Sequence, residues 1–171
     1  SLNLDRFAVL IGSGIGGIST LSDQISILDE KGPSRVSPFL VPMMLSDMAS
    51  GQVSMMLGTK GPNFATVSAC ASGADSIGMG LNMIRRGEAD IVLAGGTEAA
   101  VCPIGIAGFN ACHALSKNNE QPEMASRPFD AKRDGFVLGE GAGLLILEEE
   151  SHAIKRGATI VCELAGYGAT S

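Results

Sequence analysis

Short apolar runs along the chain alternate with stretches whose apolar residues recur at helical spacing, the pattern of an α/β protein. Phe7–Ile11 reads FAVLI and ends at glycines, which predicts a buried strand. From Ile18, apolar residues return at Leu21, Ile25 and Leu28, one face of a helix that Gly32-Pro33 stops. Residues 33–42 hold three prolines and read as a loop; Met43–Leu57, rich in Met and small side chains, reads as a helix. Phe64–Ala69 predicts the next strand, followed at once by a helix over 72–86 with Ala74, Ile77, Leu81 and Ile84 on its apolar face. Ile91–Ala94 is a strand closed by Gly95-Gly96. Strand, helix, strand is a βαβ unit and implies parallel pairing. Residues 116–135 are polar, with two prolines, and form a long loop. Gly143–Leu147 is a strand, Glu148–Arg156 a helix with acids first and bases last, and Thr159–Leu164 a last strand. The fold class expected is α/β with a layered, largely buried sheet, and residues 1–171 form one domain.

Composition supports that frame. Of 171 residues 45% are hydrophobic and 18% charged, too apolar for a disordered tail. Mean hydropathy is +0.26. Glycine, 23 of 171, is nearly double the usual share of about 7%, so backbones can approach closely. The net charge of −6 offers no surface to gather phosphates, so no nucleic acid is expected as a partner. With no run near 18 apolar residues, no membrane span is expected, nor is a signal segment in Ser1–Arg6. Because Ser1 is not Met, the chain is expected to begin after processing or inside a longer product. Cys70, Cys102, Cys112 and Cys162 form no C-x-x-C pair, so neither a metal site nor a redox motif is expected, and reduced thiols of a cytoplasmic compartment fit better.

Two motifs carry candidate chemistry. Gly12, Gly14 and Gly17 satisfy G-x-G-x-x-G between a strand and a helix, with Asp29 and Glu30 farther on, as in a nucleotide-binding turn. The context opposes that reading. The acids lie on the helix itself, and a proline loop stands where a second strand is needed. Glycines that permit close packing are the better account of 12–17. Cys70 sits in VSACASG, residues 67–73, where a strand turns abruptly into a helix. Such a turn holds a nucleophile above a sheet, the helix start favours an anion, and the small neighbours leave room for a bulky thioester. Position alone leaves a buried structural cysteine equally open. The other three cysteines lack such a turn and read as core or loop thiols.

VSACASG resembles the nucleophile segment of the elongating β-ketoacyl-acyl-carrier-protein synthases. IGSGIGG (11–17), SPFLVPMM (37–44), IRRGEADIVLAGGTEA (84–99), GFNACHALS (108–116) and SRPFDAKRDGFVLGEGAGLLILEEE (126–150) resemble the same family in its order. The resemblance implies a thiolase-like layered fold, a homodimer, no cofactor, and Cys70 as the residue that takes an acyl group from acyl-carrier protein before decarboxylative condensation with malonyl-carrier protein, in fatty-acid biosynthesis. A polyketide-type ketosynthase shares the same strings. The resemblance also implies that Ile15 and Phe109 line the acyl pocket, Leu40 and Val41 reach a partner subunit's pocket, and Arg35 contacts the carrier. His113 stands where relatives often have arginine. The family's downstream histidine pair, lysine and oxyanion-hole phenylalanine have no counterpart here, nor do its first strands; His113 and His152 lie outside its histidine motifs. An internal portion centred on the first half of the fold is therefore expected, with more exposed apolar surface than a free-standing domain carries. A Cys-His pair of Cys70 with His113 is a weaker third reading, because nothing in the pattern orients the imidazole.

Overall fold

A computed structural model describes residues 2–170. Four strands form one mixed sheet in the order β2-β1-β3-β4: β1 Phe7–Gly12, β2 Asn63–Phe64, β3 Ile91–Glu98 and β4 Gly141–Glu148. β1 pairs in parallel with β2 and β3, while β4 runs antiparallel to β3 in a full eight-residue register, Ile91 opposite Glu148 through Glu98 opposite Gly141. The two central strands are the core. Ala8, Val9 and Leu10 are fully buried, as are Val92 and Ala94; parallel strands covered on both faces require such a continuous apolar run.

The helices are α1 Ile18–Lys31, α2 Leu40–Met44, α3 Met48–Leu57, α4 Ser72–Arg85, α5 Pro103–Ala111 and α6 Glu150–Lys155. α4 packs on β1 and β3 through Ser72, Ser76, Gly78, Gly80, Leu81 and Met83. The expected face of Ala74, Ile77, Leu81 and Ile84 is only partly the buried one. Ala74 is exposed, because a stripe of serines and glycines lets the helix axis approach the sheet where larger side chains could not. Ile77, Met79 and Ile84 pack around the edge of the core cluster.

Several boundaries differ from the sequence pattern. The strand expected at Phe64–Ala69 ends at Phe64, because Thr66 and Ser68 turn to α4: Thr66 Oγ1 donates to Ser72 O at 2.7 Å, and Ser68 N donates to Ser72 Oγ at 3.0 Å. β3 does not close at Gly95-Gly96 but continues through them. A Cβ on Gly95 would lie 2.1 Å from Gly143 O, so glycine there permits the ladder to β4. The single helix expected over Met43–Leu57 is two. Leu45 is extended between them, and the Met44 carbonyl, freed at the end of α2, accepts from Gly17 N at 3.1 Å. The proline segment 33–42 holds a 3-10 turn at Pro33–Arg35 and the start of α2. α5 has no clear apolar periodicity and carried no helical expectation; Pro103 at its first position starts it with a φ already suited to a helix. α6 begins at Glu150, two residues late, because Glu148 still belongs to β4 and the Glu149 side chain caps the helix by accepting from His152 N. Thr159–Leu164 forms no strand.

Ser50 on α3 pins the mouth of the sheet. It is fully buried, accepts from Ile11 N at 2.8 Å, and its hydroxyl reaches Phe64 O at 3.0 Å. Asn63 Nδ2 donates back to Ser50 O at 2.8 Å. One side chain thus serves an amide near the end of β1 and the end of β2. Ser50→Ala strands the Ile11 amide in the interior, and a loss of about 1–3 kcal/mol is expected, measurable as a shift of the urea midpoint at unchanged slope.

Apolar side chains are left uncovered on several elements. Leu21, Ile25 and Leu28, the apolar face of α1, are each 40–50% exposed. β4 is exposed at Leu144, Leu145 and Ile146, and Met56, Phe129 and Val161 are more than four-fifths exposed. Exposed apolar faces on a helix and a strand are the kind of surface that protein contacts cover. No described helix is long and apolar enough to cross a membrane.

Candidate active site

Cys70 lies in a 3-10 turn, Ala69–Ala71, that leads directly into α4, and it is exposed. Ala69 immediately before it is left-handed at φ 51°, a conformation that costs an L-residue about 1–3 kcal/mol. Local bonds hold it. Ser72 Oγ donates to Ala69 O at 2.7 Å and accepts from Ser68 N, Ala71 N donates to Ser68 O at 3.1 Å, and Thr66 Oγ1 shares a 2.8 Å hydrogen bond with Ser76 Oγ. Ser72 and Ser76 are buried, so the turn is anchored from below and presents residue 70 above. The alternative of a buried structural thiol is thereby removed: residue 70 is exposed and no part of the core.

The floor under the turn is glycine. A Cβ on Gly12 would lie 2.4 Å from Ser72 O, and one on Gly96 would lie 2.9 Å from Gly73 Cα. The ends of β1 and β3 and the first turn of α4 therefore touch backbone to backbone. The 12–17 glycines serve the same purpose. A Cβ on Gly17 would meet Met43 O at 2.1 Å, and the Ile15 amide donates to Glu98 Oε2 at 2.9 Å. Gly16 N donates to Ser13 Oγ and Gly17 N to Met44 O. The amides of Ile15, Gly16 and Gly17 are thus occupied by the protein's own oxygens rather than open to a pyrophosphate, which counts against the nucleotide-binding alternative.

The remaining expected residues spread around this turn. Ile15 stands out from the 12–17 turn, 40% exposed, and the adjacent Gly14 lies against Ala69, its ideal Cβ 3.2 Å from Ala69 O. Leu40 opens α2, half-buried, with Val41 beside it exposed. Arg35 ends its 3-10 turn, exposed. Phe109 on α5 meets Phe136 edge-on at 5.3 Å between ring centres. Two clefts stand out: one of about 1100 Å³ includes His113, Arg127, Phe129, Arg133, Asp134 and Phe136 in its lining, and one of about 210 Å³ lies beside Ser13, Gly16, Met43, Met48 and Glu98. Neither is lined by Cys70, Ile15, Leu40, Val41 or Phe109. His113 belongs to the first of these clefts, to which Cys70 does not contribute, so the Cys-His pair gains no support. Among the described residues no three His, Cys, Asp or Glu side chains cluster as a metal site. The long loop is closed by Asp134, which accepts from Ser116 Oγ at 2.7 Å and Lys117 N at 2.9 Å; those bonds, the Lys117 amide first, hold its carboxyl below the usual range.

Three polar groups near the turn gave no sequence signal. Glu98 reaches back over the 13–15 turn, Ser76 closes the base, and Asp75 in the first turn of α4 accepts from Ser68 Oγ and, at 2.5 Å, from Tyr167 Oη. Only an acid in the first turn of a helix could have been anticipated; the partners come from residues far apart in sequence. Hydrogen bonds from Ser68 and then Tyr167 hold the Asp75 carboxyl below its ordinary value, and Asp75 holds the Tyr167 hydroxyl above its own. A carboxyl depressed on folding contributes stability above its unfolded pKa and loses it as pH falls through the lower folded value. Tyr167 is the one tyrosine and the chain has no tryptophan. Its emission is therefore expected to change on acidification with a midpoint below the ordinary aspartate value of about 3.9, a transition that Asp75→Asn abolishes.

The chain has clear relatives among known proteins. The family described as "Beta-ketoacyl synthase, N-terminal domain" matches residues 1–153. The chain belongs to that family. It is 54% identical over 169 residues to the 3-oxoacyl-acyl-carrier-protein synthase 2 of Synechocystis sp., covering 99% of this chain and 41% of that one. It is 55% identical over 166 residues to the protein of the same name from Staphylococcus aureus, covering 97% and 41%. The chain thus spans about two-fifths of the length of these relatives. Among solved structures, a β-ketoacyl synthase from Burkholderia phymatum superposes with a TM-score of 0.82 at 38% identity, over 90% of this chain and 38% of that one. The ishigamide ketosynthase/chain length factor gives 0.86 at 33%, over 95% and 39%. A type II polyketide ketosynthase in complex with its acyl-carrier protein gives 0.79 at 34%, over 92% and 40%. The α/β layers of this ketosynthase-family chain are accordingly the thiolase-like fold.

Proposed function

We propose that the chain is the nucleophile-bearing portion of a fatty-acid-type β-ketoacyl-acyl-carrier-protein synthase. The observation that carries this reading is the exposed Cys70 on a turn fastened to the start of α4, with Ala69 left-handed before it. The thiolate of Cys70 attacks the carbonyl of an acyl thioester; the carrier's sulfur leaves with the electron pair and takes up the proton, and a new thioester forms on the enzyme. Malonyl-carrier protein then loses carbon dioxide, and the carbanion left behind attacks that thioester, expelling Cys70. Covalent capture divides one difficult transfer into two easier ones. Identities of 54% and 55% to the 3-oxoacyl-acyl-carrier-protein synthases, against 34% to the type II polyketide structure, support fatty-acid elongation over polyketide assembly.

Ile15 and Phe109 would line the acyl pocket, Leu40 and Val41 would reach the pocket of a partner subunit, and Arg35 would contact an acidic carrier. The exposed apolar faces of α1 and β4 support a chain covered by more protein, here a homodimer; the chain would form one partial domain over 1–171 and work in the cytoplasm. Decarboxylation requires donors for a developing enolate, each worth roughly 10²–10³ in rate; His113 lining a cleft to which Cys70 does not contribute, and the His152 ring bound to Glu148 at 2.5 Å, support neither as that donor. The test is incubation with acyl-carrier protein bearing a long-chain acyl thioester, peptide mapping of the acylated residue, and a separate assay of carbon dioxide release from malonyl-carrier protein. Acyl label on Cys70 without sustained condensation is expected. Label on Cys102, Cys112 or Cys162 in preference would overturn the assignment.

A further inference from the structure

Glu98 ends β3, and its carboxylate reaches back over the loop that leaves β1. One oxygen accepts from Ser13 Oγ at 3.1 Å and the other from the Ile15 amide at 2.9 Å. Ser13 is buried, and its Oγ accepts in turn from Gly16 N at 3.1 Å. On the opposite side, Gly17 N donates to Met44 O of α2. Between these ties lies Gly14. A Cβ there would stand 3.0 Å from Glu98 Oε2 and 3.2 Å from Ala69 O, so the turn fills the space between the carboxylate and the backbone that carries Cys70. Carboxylate, turn and nucleophile segment form one stack, assembled from β3, the β1–α1 loop and the start of α4.

We infer that Glu98 is a positioning residue for acyl transfer to Cys70: it holds the 13–16 turn against the Ala69–Cys70 backbone and so sets the room over the thiol that a long acyl chain must enter. The inference rests on Cys70 being the acyl acceptor. Glu98 touches no reacting atom and acts through the turn, from which the half-exposed Ile15 side chain projects. An ionised carboxylate suits the task because it accepts at both oxygens at once, and the Ile15 amide and the Ser13 hydroxyl both need an acceptor. An amide at position 98 keeps one acceptor oxygen; an alanine keeps none and leaves the turn free to lift from Ala69.

The chain and its Glu98→Ala and Glu98→Gln variants are treated with N-acetylcysteamine thioesters carrying a two-carbon or a twelve-carbon acyl group, and acylation of Cys70 is followed by mass spectrometry. Iodoacetamide, which needs only an accessible thiol, is run in parallel. Glu98→Ala is expected to slow twelve-carbon transfer by roughly ten- to a hundredfold, the scale of a small misplacement of reacting groups, while two-carbon transfer and iodoacetamide labelling change by less than about threefold. Glu98→Gln is expected to restore most of the twelve-carbon rate. Should Glu98→Ala fail to fold, Glu98→Gln and Ser13→Ala each remove one of the two bonds and should show a smaller loss of the same chain-length-selective kind. Equal losses for both chain lengths, or none, in Glu98→Ala or, where that does not fold, in Ser13→Ala, with the parent's thermal midpoint, would overturn the positioning role. If the parent chain itself takes no acyl group on Cys70 yet reacts there with iodoacetamide, the acceptor reading fails and the inference falls with it.

Discussion

Cys70→Ser is expected to lower acyl transfer to the chain by roughly 10³-fold or more, the scale on which removal of a covalent nucleophile acts, with the thermal midpoint almost unchanged. The exchange is nearly isosteric, and the exposed side chain fills no core space whose loss could destabilise the fold. The neighbouring bonds that shape the turn run through Ser68, Ala69, Ala71 and Ser72, none of which uses the thiol. Only the thiol is removed. The other cysteines provide the internal control. Cys102 is half-buried before α5, and Cys112 follows the same helix with its Sγ donating to Phe109 O at 3.3 Å. Cys162 is exposed in a segment without regular secondary structure. Intact mass after treatment with an acyl thioester, in parent and variant, reads the result. A Cys70→Ser variant acylated as fast as the parent would sink the assignment.

The largest structural effect is expected from Gly12→Val. Its Cβ would start 2.4 Å from Ser72 O and 2.6 Å from Ser72 C, backbone atoms that cannot rotate away as a side-chain tip would. Relief requires α4 to lift from the ends of β1 and β3, where Gly73 and Gly96 are also in backbone contact. Overpacking of this kind costs about 3 kcal/mol or more, which lowers the thermal midpoint of a domain this size by roughly 6–12 °C. Cys70 rides on the turn just ahead of Ser72, so acyl transfer is expected to fall even well below the melting temperature. Gly51→Ala is the contrasting case. It lies within α3 and nothing stands within 4 Å of its ideal Cβ, so removing glycine's conformational freedom from a helix is expected to stabilise by about 0.5–1 kcal/mol. Equal destabilisation by both changes would show that the glycines do not act through close packing.

The sequence by itself determined the central strands, the crossover helix and the identity of Cys70 as the distinctive thiol. FAVLI and the apolar start of β3 need only one-dimensional reading, because strands buried on both faces have no polar alternation to misplace. The family strings added the function class. Boundaries were lost where a distant partner decides them. Thr66 and Ser68 leave the sheet for α4, Met44 gives its carbonyl to Gly17, and Gly95 extends β3 because Gly143 lies across from it; a local pattern carries no trace of any of these. The segment at Thr159–Leu164, which forms no strand, shows the converse, since β propensity yields a strand only where a neighbouring strand offers unpaired amides and carbonyls. The apolar face of α1 was legible as a face but not as an uncovered one. The site followed the same division. Residue 70 was marked by its own neighbours in sequence, whereas Glu98 reaches Ser13 across 85 positions and Tyr167 reaches Asp75 across 92. Such groups become partners only once β1, β3 and α4 are stacked, because hydrogen bonds form at about 3 Å in space whatever the separation along the chain.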